Sequence, residues 1–370
     1  MRYIDEYRDG QLGQKLLQSL HRKVQGQPAL RFMEVCGTHT VSIFRSGLRS
    51  ALPRQISLLS GPGCPVCVTA QADIDKAIEL AKKPNTVLVT YGDMLKIPGT
   101  KSSLQAERAR GADVRIVYSP SEALAIAQLH PTENVAFLGV GFETTTPPIA
   151  LVIKEARRLK IDNFFVLSIH KVIPPPLKAL MDSGDTAIDG LLLPGHVSTI
   201  IGSEPYRFLS SEYKVPAVIS GFEALDILQS IHMLVEQISD SRAEVEIQYR
   251  RVVRREGNVA AQKAIGEVFE PADVIWRGLG EIPASGLKLR EPYDQFDAEE
   301  AFDLDVSYSR EPVACSCGDI LRGVKSPYEC KLFAKSCMPD HPVGPCMVSS
   351  EGTCSAYYHF GDWRETEAER

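Results

Sequence analysis

The sequence predicts an α/β chain with two similar parallel-sheet α/β domains around a cleft, followed by a small cysteine-rich domain. Three observations carry this. Short apolar runs alternate with amphipathic stretches through most of the 370 residues, as strands buried on both faces and joined by covering helices do. A chain of this length has material for two or three domains. Its nine cysteines fall into two groups, three up to Cys67 and six from Cys315 to Cys354, with none between.

Taken in order, residues 12–25 have helical periodicity, and an N-terminal helix within 1–30 is expected to pack on the C-terminal domain. Strands are expected at 32–35, 56–59, 87–90, 114–118, 135–140, 164–169, 190–193 and 217–220. Amphipathic stretches at 71–81, 102–110, 121–128 and 149–159 supply the crossover helices. The strands are divided into a first domain, 31–130, and a second, 131–270; a closed eight-stranded βα barrel is the alternative. Residues 224–253 read as one long crossing helix or a helical pair, and the Gly- and Pro-rich 271–292 as a linker. The remainder of 271–370 holds six cysteines and few core formers, so it needs a metal or disulfides to keep its shape.

Composition is globular, 44% hydrophobic and 24% charged, with a formal net charge of −6. That balance argues against nucleic acid or an anionic membrane as the main partner. The segment from Met1 to Glu6 has no apolar signal region, and no apolar run approaches the about 20 residues that span a bilayer. A cytoplasmic location is expected, and in a reducing compartment clustered cysteines are metal ligands or redox thiols more often than structural disulfides.

The tail thiols are Cys315, Cys317, Cys330, Cys337, Cys346 and Cys354. Four soft thiolates suit tetrahedral zinc or a cubane iron–sulfur cluster. No tight Cys-x2-Cys knuckle occurs among them, and the wide, irregular spacing favours [4Fe–4S] over zinc. Two thiols are surplus to either. At the front, Cys36 follows the first strand and Cys64-Pro65-Val66-Cys67 the second, where parallel sheets bind ligands. Cys-x-x-Cys serves as a redox dithiol or holds a metal, with Cys36 or His39 completing the site. Further polar motifs follow later strands: Glu143 in Gly141-Phe142-Glu143-Thr144-Thr145, His170 in His170-Lys171-Val172-Ile173-Pro174-Pro175, and His196 in Pro194-Gly195-His196-Val197-Ser198. Each alone is ordinary turn chemistry; together, at strand ends, they point to a shared cleft. Gly139-Val140-Gly141 fails as a dinucleotide fingerprint because Thr144 stands where the third Gly belongs.

With Cys36-Gly37-Thr38-His39 and Gly61-Pro62-Gly63-Cys64-Pro65-Val66-Cys67, these motifs resemble the HypD family of [NiFe]-hydrogenase maturation factors over roughly residues 30 to 360. The resemblance implies two α/β domains around a cleft and a third domain holding a [4Fe–4S] cluster on Cys315, Cys330, Cys337 and Cys354. It implies a scaffold on which an Fe(CN)2CO unit is assembled, with a HypC-type chaperone as partner and cyanide delivered by HypE, which is charged by HypF. Cys36 would then bind the iron, with Cys64 and Cys67 as ligands or redox partners, and His39, Glu143 and His170 as proton relays or ligand-binding groups. Cys317 and Cys346 are left over, available as a disulfide or a redox relay. A cluster-fed thiol–disulfide oxidoreductase using Cys64 and Cys67 is the competing function. An open-corner iron–sulfur hydratase needs only three cluster ligands, and radical-SAM chemistry lacks its Cys-x3-Cys-x2-Cys run.

Overall fold

In the computed structural model, which describes residues 8–185 and 187–362, the parallel strands divide between two open sheets, so there is no closed barrel. The first sheet has the order β2-β1-β7-β8-β9, formed by Leu30–Glu34 (β1), Ile56–Ser60 (β2), Gly190–Pro194 (β7), Ala217–Ser220 (β8) and Val245–Ile247 (β9). The second has the order β4-β3-β5-β6, formed by Thr86–Thr90 (β3), Asp113–Ile116 (β4), Asn134–Gly139 (β5) and Phe164–Ser168 (β6). All pairs in both sheets are parallel. All eight expected strands are present, and β9 is additional. The stretch from Met1 to Glu6 lies outside the described residues.

The expected boundary at 130/131 does not follow the sheets. Strands from 86 to 116 pair with strands from 134 to 168, whereas 30–60 pairs with 190–247. The chain starts the first sheet, crosses after Cys67 to build the whole second sheet, and returns at β7. Apolar periodicity identifies a strand but carries no information about its neighbour, so a discontinuous domain is invisible to it.

Alternation along the strands sorts side chains into separate cores. In the first sheet Phe32, Leu192 and Val218 face one helical layer, where Leu20 of the helix Gly10–Lys23 and Val24 just after it meet Ile227 and Ile231 of Ala224–Ser239. The N-terminal helix therefore packs on 224–239, with Ser19 and His232 3.0 Å apart, and not on the cysteine-rich region. The opposite face, Met33, Leu191 and Ile219, joins Leu88, Ala136 and Leu138 of the second sheet in one shared core. That core also contains Cys64, Cys67, Cys317, Cys337, Cys346 and Cys354.

Two more expectations change. The helix from Ala224 stops at Ser239, because Ser241 takes a left-handed φ of 54° and turns the chain into β9. The presumed linker is an antiparallel hairpin, Phe269–Trp276 (β10) and Gly280–Leu289 (β11). Its register slips between Ala272 and Val274, beside Pro271, which cannot donate a ladder hydrogen bond. The hairpin straps the two halves: Trp276 bridges to Thr69, and Gly286 to Lys171.

Candidate functional site

Parallel pairing of β1 with β2, in register from Leu30↔Ile56 to Glu34↔Ser60, sets the two front loops side by side. Gly61 N–H donates to Glu34 O at 2.9 Å and Gly37 N–H to Gly63 O at 3.2 Å. The contact requires glycine: a Cβ on Gly63 would stand 1.6 Å from Val35 O. Cys36 occupies the N-cap of the helix Gly37–Arg45 and Cys64 that of Pro65–Val68. Cys36 is a free, buried thiol, and Cys64 and Cys67 form a disulfide. The three thiols predicted from the sequence thus sit on adjoining loops.

Burial pushes the Cys36 thiol up to about 11, and the charge of Glu351 adds to it, against the opposing pull of the nearby Thr38 and His39 donors. At neutral pH it stays protonated until a cation displaces the proton. Glu351 comes from the tail. Its Oε1 accepts from the Thr38 hydroxyl at 2.7 Å, and its backbone closes on Gly37, where a Cβ would lie 2.1 Å from Glu351 O. It was missed because nothing distinguishes one carboxylate in Ser350-Glu351-Gly352 until the tail is seen docked on the first loop.

His39 is wholly buried one turn into the helix. Its Nε2 is 3.0 Å from Gly221 O, and its ring stacks on Phe222 at 4.7 Å, as that of His196 does at 3.9 Å. Since a carbonyl only accepts, Nε2 carries the proton and the buried, unpartnered Nδ1 is a free base. Burial lowers this imidazole to about 4.

Glu143 is buried after β5. Its Oε1 accepts from Ile173 N–H at 3.0 Å, and Oε2 has no partner. Burial raises it to about 7. Burial also holds the phenol of Tyr206 well up, followed by the charges of Glu143 and Cys36. Tyr206 therefore stands within the electrostatic reach of both groups, and it accepts from the Ser198 hydroxyl at 3.4 Å. A buried tyrosine is common in any core, so the sequence carried no signal for it. Because the raised carboxyl favours the proton, Glu143 stabilises the fold most below pH about 4.5 and loses about 3 kcal/mol of that as the pH rises through about 7. Glu143→Gln is expected to remove this component. Urea unfolding from pH 4.5 to 8 should show the variant gaining on wild type as the pH rises, and parallel profiles would contradict the buried carboxyl.

His170 goes elsewhere. Its Nδ1 lies 3.0 Å from the Ser168 hydroxyl, which donates to Leu287 O, and its ring meets Phe269 edge-on at 5.7 Å. Burial, with the charge of Lys171, lowers it to about 3. These partners belong to β6 and the hairpin, not to the loops around Cys36.

The six tail thiols occupy short helices and turns. Cys315 and Cys317 sulfurs are 3.2 Å apart, and both crowd Gly344, where a Cβ would fall 2.7 Å and 2.8 Å from them. Burial holds Cys354 well up, followed by the charges of Cys317, Cys337, Cys315 and Cys330, and Cys337 likewise feels Cys315 and Cys330. Cys315, Cys330, Cys337 and Cys354 thus lie within one another's field. Among the described residues no three His, Cys, Asp or Glu side chains converge to hold a single metal ion. A cubane takes one thiolate at each of four separated corners, so this soft, dispersed set fits it. Cys346 lies in the short helix Pro345–Met347, which packs on Pro65–Val68. Thr353–Phe360, carrying Cys354, packs on Gly37–Arg45. The two cysteine groups, remote in sequence, share one buried region.

No described helix is long and apolar enough to cross a membrane. The family model described as "HypD: Hydrogenase formation hypA family" matches residues 11–361. The chain is 47% identical to the hydrogenase maturation factor HypD of Cupriavidus necator, covering 99% of this chain and 98% of that one. It is also 47% identical to HypD of Azotobacter vinelandii, with the same coverage, and 43% identical to HypD of Escherichia coli over the full length of both. Matched from end to end, the chain belongs to the HypD family of hydrogenase maturation factors.

Proposed function

We propose that this chain is the scaffold on which an Fe(CN)2CO unit is assembled, together with a HypC-type chaperone and a HypE-type cyanide donor. The observation that carries this is a free, protonated Cys36 at a helix N-terminus, beside the Cys64–Cys67 pair. Incoming iron is the substrate. Its charge displaces the Cys36 proton, and the aligned N–H groups at the start of Gly37–Arg45 favour the thiolate left behind. Burial lowers His39 to about 4 and so keeps it neutral, and its free Nδ1 supports a role as a hydrogen-bond acceptor near the thiolate. Burial of Cys36, Cys64 and His39 excludes bulk water, which a low-spin cyanide and carbonyl complex requires. Protonated Glu143 and Tyr206 are suited to donating hydrogen bonds to bound ligands.

In the tail, Cys315, Cys330, Cys337 and Cys354 would hold a [4Fe–4S] cluster, which when bound supplies one-electron chemistry. Cys346, whose short helix packs on Pro65–Val68, and Cys317, whose sulfur is 3.2 Å from that of Cys315, would serve as a relay pair. The cysteines and the hairpin do the positioning here: they keep the tail seated on the two front helices.

The test is anaerobic co-purification with the HypC-type partner, followed by infrared spectroscopy. Bands in the cyanide and carbonyl stretching region are expected, and an iron-loaded complex without them refutes the scaffold reading. The Cys64–Cys67 disulfide favours one competitor, a stand-alone thiol–disulfide oxidoreductase. That enzyme would reduce small disulfides without partner or iron.

A further inference from the structure

One buried cation stands between the two groups of thiols. Arg277, at the turn of the hairpin, is 2% exposed. Its backbone N–H donates to Val68 O at 2.9 Å, its Nε to Thr69 O at 3.0 Å and its Nη2 to Gln71 Oε1 at 2.7 Å. These acceptors directly follow Cys67 in the chain. On the other side the next residue, Gly278, has φ +71° and lies in backbone contact with Gly318, the neighbour of Cys317. A Cβ on Gly278 would fall 2.1 Å from the Gly318 Cα. The turn is therefore wedged between the end of the front Cys-x-x-Cys helix and the start of the tail cysteines.

Both side-chain acceptors of Arg277 are neutral, a carbonyl and an amide. A guanidinium this deeply buried is strongly disfavoured unless negative charge faces it. The groups able to supply it on that side are the tail thiols: Cys317 adjoins Gly318, which touches Gly278, and its sulfur is 3.2 Å from that of Cys315. Without a metal these are thiols and give it no anion; metal-bound thiolates would.

We propose that Arg277 is the fixed counter-cation of the tail thiolate group, a positioning residue that balances its negative charge and sets how readily a cluster held there accepts an electron. This rests on the reading above that the tail thiols hold a cluster. Each added electron makes a thiolate-bound cluster more negative by one charge, and in a low-dielectric interior a nearby fixed cation stabilises that state selectively. The same guanidinium tethers the hairpin to Thr69 and Gln71, so its place relative to Cys67 is fixed as well.

Full-length wild type, Arg277→Gln and Arg277→Lys, purified anaerobically, test this. Iron and labile sulfide are quantified, and the midpoint potential is measured by mediated titration followed by electron paramagnetic resonance. Arg277→Gln is expected to shift the couple downward, lowering the reduced-to-oxidised ratio about tenfold at a fixed poise, or about 59 mV for a one-electron couple. Arg277→Lys, which keeps the charge but loses the fork, should stay close to wild type. If Gln and Lys lose cluster content or potential equally, or both retain them, the counter-charge role is overturned and Arg277 acts through packing and hydrogen bonds alone. If Gln loses the cluster and Lys retains it, charge is again the cause. A wild-type chain without iron and labile sulfide fails before any substitution is compared, and sinks the cluster reading with this inference.

Discussion

Replacing Cys36 by Ala is expected to abolish the cyanide and carbonyl infrared bands of the co-purified complex while leaving the fold intact. The side chain makes no capping hydrogen bond to the helix that follows it. Truncating the buried sulfur should change stability by about 1 kcal/mol, well inside the margin of a domain this size. The functional loss should instead be complete. Cys64 and Cys67 are tied to each other, so no other described thiol in the front loops is free to take the iron. Infrared spectroscopy and thermal unfolding on the same preparation separate the two effects. Undiminished bands in a stable Cys36→Ala complex would remove Cys36 from the iron site. Bands lost together with a collapse of the unfolding midpoint would show a structural effect and no specific ligand role.

Cys354→Ser is expected to be nearly as severe, and in the opposite way, because it attacks structure and charge together. A serine hydroxyl is a harder donor and does not ionise at neutral pH, so one corner of the proposed cluster is lost. Iron and labile sulfide should fall to near background. The segment from Cys315 to Cys354 has only short helices, and its buried hydrophobic side chains are Cys317, Cys337, Cys346 and Cys354 with Ile320, Leu321, Phe333 and Met347. Losing the cluster should therefore loosen it. Glu351 precedes Cys354 by three residues and holds Thr38, so the front loop should lose that carboxylate as well. Limited proteolysis should cut after residue 310 in the variant and spare the two sheets. Full iron and sulfide content with a protected tail would mean that Cys354 is a packing residue.

Strand positions were legible in the sequence because a strand buried on both faces needs an apolar run, Val87 to Val89 in β3 and Leu191 to Leu193 in β7. Helix and strand ends moved by only a few residues. What failed were inferences across distance and through Gly and Pro. Pro271 and Gly286 hid the hairpin, since one removes a donor and the other has no side chain to show alternation, although a Cβ at Gly286 would strike Val274. The 224–253 helix was overextended because Arg250 and Arg251 continue an acceptable helical composition, whereas Ser241 alone turns the chain. His170 looked like a cleft residue for being at a strand end; its Nδ1 and ring meet Ser168 and Phe269, while its buried Nε2 has no partner.

The sequence by itself determined the α/β class and the family, because both depend on residue type and local spacing. Tertiary structure alone decided which strands are neighbours, and with them that the front and tail cysteines share one core. It also brought Glu351 to Cys36, Tyr206 within electrostatic reach of Cys36 and Glu143, and Arg277 between the two thiol groups. Those juxtapositions arise from a chain that leaves the first sheet after Cys67 and returns at Gly190, and from a hairpin that straps the halves together. Burial at the junction then sets the chemistry, holding Cys36 protonated and His39 neutral and raising Glu143 to about 7, since charge is expensive wherever water is excluded.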